Sequence, residues 1–137
     1  MSADETKARI LRSIAGSRGY RQEGRGKFRI GTTLVHIRYK SKASHGTSYP
    51  YNINPNTLRA DYELWICGDR DGWYLIPISV IREMYEDPQA YVDRRHPEIR
   101  VATLDVASHS VIYGSGGQRI SFSAYRNGHL PEERFGA

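Results

Sequence analysis

The sequence predicts an α/β (α+β) fold in which helices flank a mixed central sheet. An amphipathic helical pattern opens the chain, strand-like runs follow it, and a second helical pattern follows the longest apolar run. The length of 137 residues is close to the commonest size of one domain. We therefore expect a single domain over residues 1–126 and a polar C-terminal tail over residues 127–137.

Two segments have the apolar spacing of an amphipathic helix. The first runs from Asp4 to Ala15, and either Ser2 or Asp4 can cap its first N–H groups. The second is expected to begin with Ser79 as its cap and to end before Pro88, because proline cannot continue a helix.

A hairpin is the clearest strand prediction. Its arms, Lys27–Ile30 and Thr33–Lys40, are rich in strand formers and meet at a two-residue connection that begins with Gly31. Successive side chains of a strand point to opposite faces. One face of the second arm therefore carries Leu34, His36, Arg38 and Lys40, and the other carries Val35, Ile37 and Tyr39. A row of cationic or protonatable groups suits phosphate better than a divalent cation.

Further strands are predicted downstream. The apolar run Tyr62–Cys67 has the length of a central strand, and Trp73–Pro77 follows it after a glycine-containing turn. The prolines of residues 49–55 favour a turn-rich or edge segment. Short strands are expected near residues 99–104, 108–113 and 120–122.

Charge is distributed unevenly along the chain. Residues 1–42 hold eleven Lys and Arg against three acids, whereas residues 61–93 lean acidic. A basic region concentrated in one part of a small domain favours a polyanion partner, and we expect nucleic acid, with DNA favoured over RNA. The alternative is a solvated surface that only keeps the protein soluble. No membrane interaction is expected, because no basic helix here carries a large apolar face.

The candidate DNA contacts are the cations of the hairpin region and two loop tyrosines. Aromatic rings interleaved with Arg and Lys can stack on unpaired bases, although ordinary packing of the tyrosines is an open alternative. The set is Arg25, Lys27, Arg29, His36, Arg38, Lys40, Lys42, Tyr49 and Tyr51.

The sequence predicts no metal site and no cofactor. The five histidines are dispersed, and the segment from Asp69 to Gly72 lacks the terminal Glu of a calcium loop and is explained by a hairpin turn. Cys67 is a lone cysteine in an apolar strand, so we interpret it as a small buried side chain. The absence of a disulfide framework and of an apolar N-terminal region favours a cytoplasmic protein.

One unit of the sequence has a family resemblance. Asp61-Tyr-Glu-Leu-Trp-Ile-Cys67, a short turn and Gly72-Trp-Tyr-Leu-Ile-Pro77 follow a first helix and a hairpin. This succession resembles small proteins of the PD-(D/E)XK superfamily, the restriction-endonuclease-like group that includes some homing endonucleases. The resemblance covers roughly residues 4–84 and implies a restriction-endonuclease-like core that binds DNA.

The motif positions of that superfamily are not acidic in this chain. The (D/E)-x-K tripeptide falls on His36-Ile37-Arg38, and the metal-binding Asp falls near Lys27. A nuclease of this kind needs carboxylates to hold Mg²⁺, and the acid expected nearby is Glu23. The resemblance therefore implies a DNA-binding protein that has lost metal-dependent catalysis, with no catalytic residues.

Two alternatives are left open. In the first, Glu23 with Asp61 or Glu5 forms a non-standard site of an active Mg²⁺-dependent endonuclease, in which Lys40 or Lys27 positions water. In the second, the chain is a protein-interaction module, either an inhibitor or an accessory subunit, whose basic face docks on an acidic partner. This second alternative includes a homodimer, because the acidic residues 61–93 could pair with the basic residues 1–42 of a second copy.

Overall fold

A computed structural model describes residues 2–131 and has an α+β architecture. This range contains two α-helices and ten strands in two sheets. The helices are α1 (Ala3–Ala15) and α2 (Ile78–Glu86). The strands are β1 (Arg21–Gly24), β2 (Lys27–Ile30), β3 (Thr33–Lys40), β4 (Ser48–Ile53), β5 (Tyr62–Cys67), β6 (Trp73–Pro77), β7 (Tyr91–Val92), β8 (Arg100–Asp105), β9 (Ser110–Ile112) and β10 (Arg119–Ser121).

The helices follow the predicted pattern except at one cap. Ser2 caps α1, since its Oγ accepts the N–H of Glu5 at 3.1 Å. The expectation that Ser79 caps α2 is wrong, because the helix begins at Ile78 and Ser79 lies in its first turn. The residue at the cap position is Pro77, and no side chain accepts a bond there. The helix ends before Pro88, as predicted.

The first sheet has the strand order β1-β2-β3-β5-β6 and is mixed, as predicted. The chain from β1 to β3 is antiparallel throughout, and the predicted hairpin closes with Ile30 opposite Thr33. β3 and β5 are parallel, and β6 returns antiparallel to β5. The parallel pair is possible because the chain between β3 and β5 crosses the second sheet as β4.

The second sheet has the order β10-β9-β8-β4, and β7 pairs with one end of β8. β4 is its edge strand, in agreement with the edge segment predicted from the prolines. The pairing of β4 with β8 runs from Ser48 opposite Asp105 to Ile53 opposite Arg100.

The first sheet is covered on both faces. α1 packs on one face, and this layer includes Ile10, Leu11, Ile14, Val35 and Ile37. The second sheet and α2 pack on the other face, and that layer includes Tyr51, Trp65, Tyr74, Leu104 and Phe122. Cys67 is buried in the second layer, as expected of a small apolar side chain.

The start of the predicted polar tail is packed on the domain. Asn127 donates its N–H to the carbonyl of Trp73 at 2.7 Å, and the Trp73 indole donates to Gly128 at 2.9 Å. Leu130 is 6% exposed and belongs to the layer under α1. The tail boundary at residue 127 is therefore too early, and residues 132–137 of the predicted tail lie outside the described residues. Neither helix in residues 2–131 is long and apolar enough to cross a bilayer.

Candidate functional site

A buried polar cluster lies where β3 pairs with β5. The parallel register puts His36 beside Glu63 and Arg38 beside Trp65. Glu63 is fully buried, and its Oε1 accepts from Arg38 Nε and from Trp65 Nε1, both at 3.2 Å. A buried carboxylate needs partners of this kind, so these two donors fix its position.

Two polar atoms of this cluster have no hydrogen-bond partner. His36 Nδ1 lies 3.6 Å from Glu63 Oε1, which is too long for a hydrogen bond. Within residues 2–131 the buried side-chain atoms without a partner are His36 Nδ1 and Glu63 Oε2. Buried polar atoms are nearly always bonded, so this cluster has the capacity to bond one more group, such as a water molecule.

Sequence reasoning missed Glu63. It took Glu23 as the only acid near the hairpin motif, which is wrong because strand pairing puts Glu63 directly opposite His36. The available signal was the single acid in the otherwise apolar run Tyr62–Cys67. A charged residue in a strand that is buried on both faces requires a partner.

The face with His36 and Arg38 is less open than predicted. His36 is 7% exposed, and the Arg38 side chain is 22% exposed. The reason is that the second sheet covers this face of β5 and part of β3. Lys40, at the end of the strand, is exposed. The predicted row of free cations is thus a partly buried cluster that opens toward Lys40.

Arg29 is bonded within the protein. Its Nε and Nη2 bond to the two carboxylate oxygens of Glu23 at 3.0 and 2.9 Å, and its Nη1 donates to the carbonyl of Thr32. Arg21 bonds to the same carboxylate at 3.0 Å. The hydrogen bonds from Arg29 and Arg21 lower the pKa of Glu23 to about 2. Arg29 therefore has less capacity for phosphate than the sequence predicted.

Asp61 and Lys40, two residues of the predicted alternative magnesium site, lie far apart. Asp61 Oδ2 accepts the N–H of Leu34, at the first end of β3, whereas Lys40 lies at the other end, about 20 Å away along the strand. Glu23 is bonded by two arginines, and Glu5 accepts from Ser2 at the start of α1. Residues 2–131 contain no cluster of three or more His, Cys, Asp or Glu that could hold a metal ion.

Tyr49 and Tyr51 are too buried in this fold for their rings to stack on bases. They are 3% and 1% exposed, because alternate residues of β4 point into the core. The Tyr51 ring stacks on Trp65 at 4.5 Å, and its hydroxyl donates to the carbonyl of Ile66 at 2.8 Å. The Tyr49 hydroxyl donates to Asp71. The predicted stacking role of both tyrosines is wrong, and the alternation of Tyr49, Tyr51 and Ile53 was the signal for burial.

Four cations of the predicted set have no acidic partner among the described residues. Arg25, Lys40 and Lys42 are exposed, and Lys27 is partly exposed. None of them lies within 4.0 Å of a carboxylate in residues 2–131. Arg25 follows β1, Lys27 begins β2, Lys40 ends β3 and Lys42 follows β3. We call Arg25, Lys27, Lys40 and Lys42 the hairpin cations.

A groove of about 250 Å³ lies between β3 and β4. Its polar side chains are Arg38 and Lys40 from β3 and Asn52 from β4, and we call it the β3–β4 groove. Pairing of β2 with β3 runs only as far as Lys27 opposite His36, so the later residues of β3 border the groove. The buried cluster therefore reaches solvent through Arg38.

Comparisons with known proteins identify no family for this chain. No protein-family model, curated protein or solved structure matches the chain. The restriction-endonuclease-like core and the binding of DNA accordingly stay predictions.

Proposed function

We propose that this chain is a DNA-binding protein with a restriction-endonuclease-like core that has lost metal-dependent catalysis. The observation that carries the proposal is the set of hairpin cations, which have no acidic partner in residues 2–131. Cations without protein partners are available to phosphate groups, and each contact releases a counterion from DNA. Residues 1–42, which contain the hairpin cations, hold eleven Lys and Arg against three acids, and a segment of this charge attracts DNA. Asp69 and Asp71 line the same pocket as Lys42, so the other three hairpin cations are the stronger candidates.

The order of elements supports the proposed core. A helix, a hairpin, and then the strand-turn-strand-helix unit β5-β6-α2 occur in the order that the resemblance implies. β5 also pairs directly with the hairpin strand β3, which brings the two parts of the resemblance into one sheet. The topology is thus compatible with a restriction-endonuclease-like arrangement.

The chemistry of the motif positions supports the loss of catalysis. His36 and Arg38 of the tripeptide face one carboxylate, Glu63, and the guanidinium of Arg38 already bonds to it. A divalent cation at this place would lie beside a fixed positive charge and would have few oxygen ligands. Phosphate, in contrast, gains a donor from the unbonded side of the Arg38 fork.

Salt-dependent binding is the direct test. Fluorescence anisotropy would measure the Kd of a labelled 20-base-pair duplex at 50 and 200 mM NaCl. Four phosphate contacts predict a slope of log K against log salt near −3.6, which weakens binding about 150-fold over that range. Absence of binding to duplex and single-stranded DNA at 50 mM NaCl would refute the proposal.

Neutralising single cations tests the assignment of residues. Lys27→Gln and Lys40→Gln should each weaken binding and make the salt slope shallower by about one unit. Arg94→Gln is a matched control, because Arg94 is exposed but lies in the loop between β7 and β8. Equal effects of all three variants would mean that the contact surface is not the hairpin. If the protein cleaves plasmid DNA in the presence of Mg²⁺ and Glu63→Gln abolishes that cleavage, the proposed loss of catalysis is wrong.

A further inference from the structure

β3 has an unpaired edge along the β3–β4 groove. Ile37 donates its N–H to the carbonyl of Gly26 at 2.8 Å, on the side of β2. The carbonyl of Lys40 accepts from Gly68 N–H at 2.6 Å, on the side of β5. Because successive peptide groups point to opposite sides of a strand, those of Tyr39 face the same side as those of Ile37. No strand of the described range pairs with β3 at that position.

β4 presents a second unpaired edge to the same groove. The carbonyl of Thr47 accepts from Val106 N–H at 3.0 Å, on the side of β8. The same alternation turns the peptide groups of Pro50 and Asn52 away from β8, the one strand that pairs with β4 in residues 2–131. An outward position suits Pro50, which has no N–H, and leaves the Asn52 peptide free to bond.

The groove therefore offers two kinds of polar group. Arg38 and Lys40 supply positive charge, and the backbone of Tyr39 and Asn52 supplies unpaired N–H and C=O groups. In a duplex the Watson–Crick edges of the bases are paired with one another, so only their groove edges are free to bond a strand edge. An unpaired nucleic-acid strand presents both phosphates and free base edges.

We propose that the β3–β4 groove binds one unpaired nucleic-acid strand. Phosphates bond to Arg38 and Lys40, and base edges bond to the backbone of Tyr39 and Asn52. The inference rests on the proposed binding of DNA and specifies the form that this site takes. It also predicts that duplex DNA contacts the hairpin cations, of which Lys40 borders the groove, without bonding to the backbone of Tyr39 and Asn52.

The experiment compares two labelled DNAs on one set of variants. Asn52→Asp puts a carboxylate into the groove at an exposed side chain and should weaken binding of a 15-nucleotide oligo-dT about tenfold. Its effect on a 15-base-pair duplex should stay below about twofold, because charge outside the contact is screened. Gln89→Glu is the matched control: it makes the same amide-to-acid change at an exposed residue between α2 and β7. The control should change neither Kd by more than about twofold.

The outcomes separate this inference from the proposed function. If Asn52→Asp leaves oligo-dT binding unchanged while Lys27→Gln still weakens duplex binding, the groove inference is wrong and the proposed function stands. If neither DNA binds at all, both are wrong. If oligo-glutamate binds with the Asn52 dependence and oligo-dT does not, the groove takes an acidic peptide and the inference is overturned. Thermal melting of Asn52→Asp should match that of the parent, because the side chain is exposed.

Discussion

Replacing Glu63 by Gln removes the buried charge to which Arg38 is bonded. Oε1 accepts from Arg38 and from Trp65, both at 3.2 Å. A hydrogen bond to a charged group contributes about 1.5–3 kcal/mol and a neutral one about 0.5–1.5 kcal/mol, so two bonds lose about 2.5 kcal/mol together. With Oε1 kept as the acceptor, the new amide nitrogen takes the place of Oε2, which has no hydrogen-bond partner, so no new bond offsets this loss. The expected loss in the free energy of unfolding is about 2.5 kcal/mol.

Urea unfolding followed by tryptophan fluorescence measures this loss. With an m-value of about 2 kcal/mol per molar urea, the midpoint should fall by about 1.2 M. The matched control is Glu98→Gln, because Glu98 is an exposed acid whose carboxylate lies 3.8 Å from the His96 ring and makes no other close ion pair within residues 2–131. Its midpoint should be unchanged, since exposed pairs contribute little.

DNA affinity should change in the opposite direction. Without the carboxylate, Arg38 is released toward phosphate and one negative charge near the site is gone. A unit charge at about 4 Å contributes about 1 kcal/mol in water, so Glu63→Gln should bind DNA about fivefold more tightly. If Glu63→Gln is less stable and binds DNA more tightly, Glu63 holds Arg38 back from phosphate in addition to stabilising the fold. A purely structural role would lower the stability without tightening the binding. Unchanged stability with unchanged or weaker binding would refute the reasoning.

Other predictions concern single side chains. The pKa of Glu23, lowered to about 2 by its hydrogen bonds to Arg29 and Arg21, lies below its ordinary value of 4.5, so its stabilising contribution is fully present above pH 4.5 and is lost as the pH falls toward 2. An NMR titration of the Glu23 carboxyl should give that low midpoint, and Arg29→Gln should raise it; equal midpoints would contradict the pairing. Burial raises the pKa of the Cys67 thiol to about 12, so a thiol reagent at pH 8 should label it only as the protein unfolds, whereas immediate labelling would contradict its burial.

Local features of the sequence were sufficient to predict the local structure. The hairpin between Lys27 and Lys40 and the pair of strands from Tyr62 to Pro77 depend on alternation and on turn residues, which short stretches of sequence contain. The first helix was predicted to within one residue for the same reason. The cap of the second helix was not, because Pro77 ends the preceding strand and so determines where that helix begins.

The candidate site was only partly predictable. The sequence identified His36 and Arg38 as neighbours on one face, since residues two apart on a strand share a face. It could not show that Glu63 lies opposite them, because the parallel pairing of β3 with β5 joins segments that the whole of β4 separates. The same distant packing buries Tyr49 and Tyr51, which the sequence alone left between two interpretations.

The sequence by itself thus determined the elements, the basic character of the first third and the absence of acids from the hairpin motif positions. The tertiary structure decided which of those cations have protein partners: Arg29 and Arg38 bond to carboxylates, whereas Arg25, Lys27, Lys40 and Lys42 bond to none in residues 2–131. The physical reason is the distance along the chain over which each effect acts. Hydrophobic periodicity and turn residues act between near neighbours in the sequence. Charge pairing and burial depend on which strands the whole fold brings side by side.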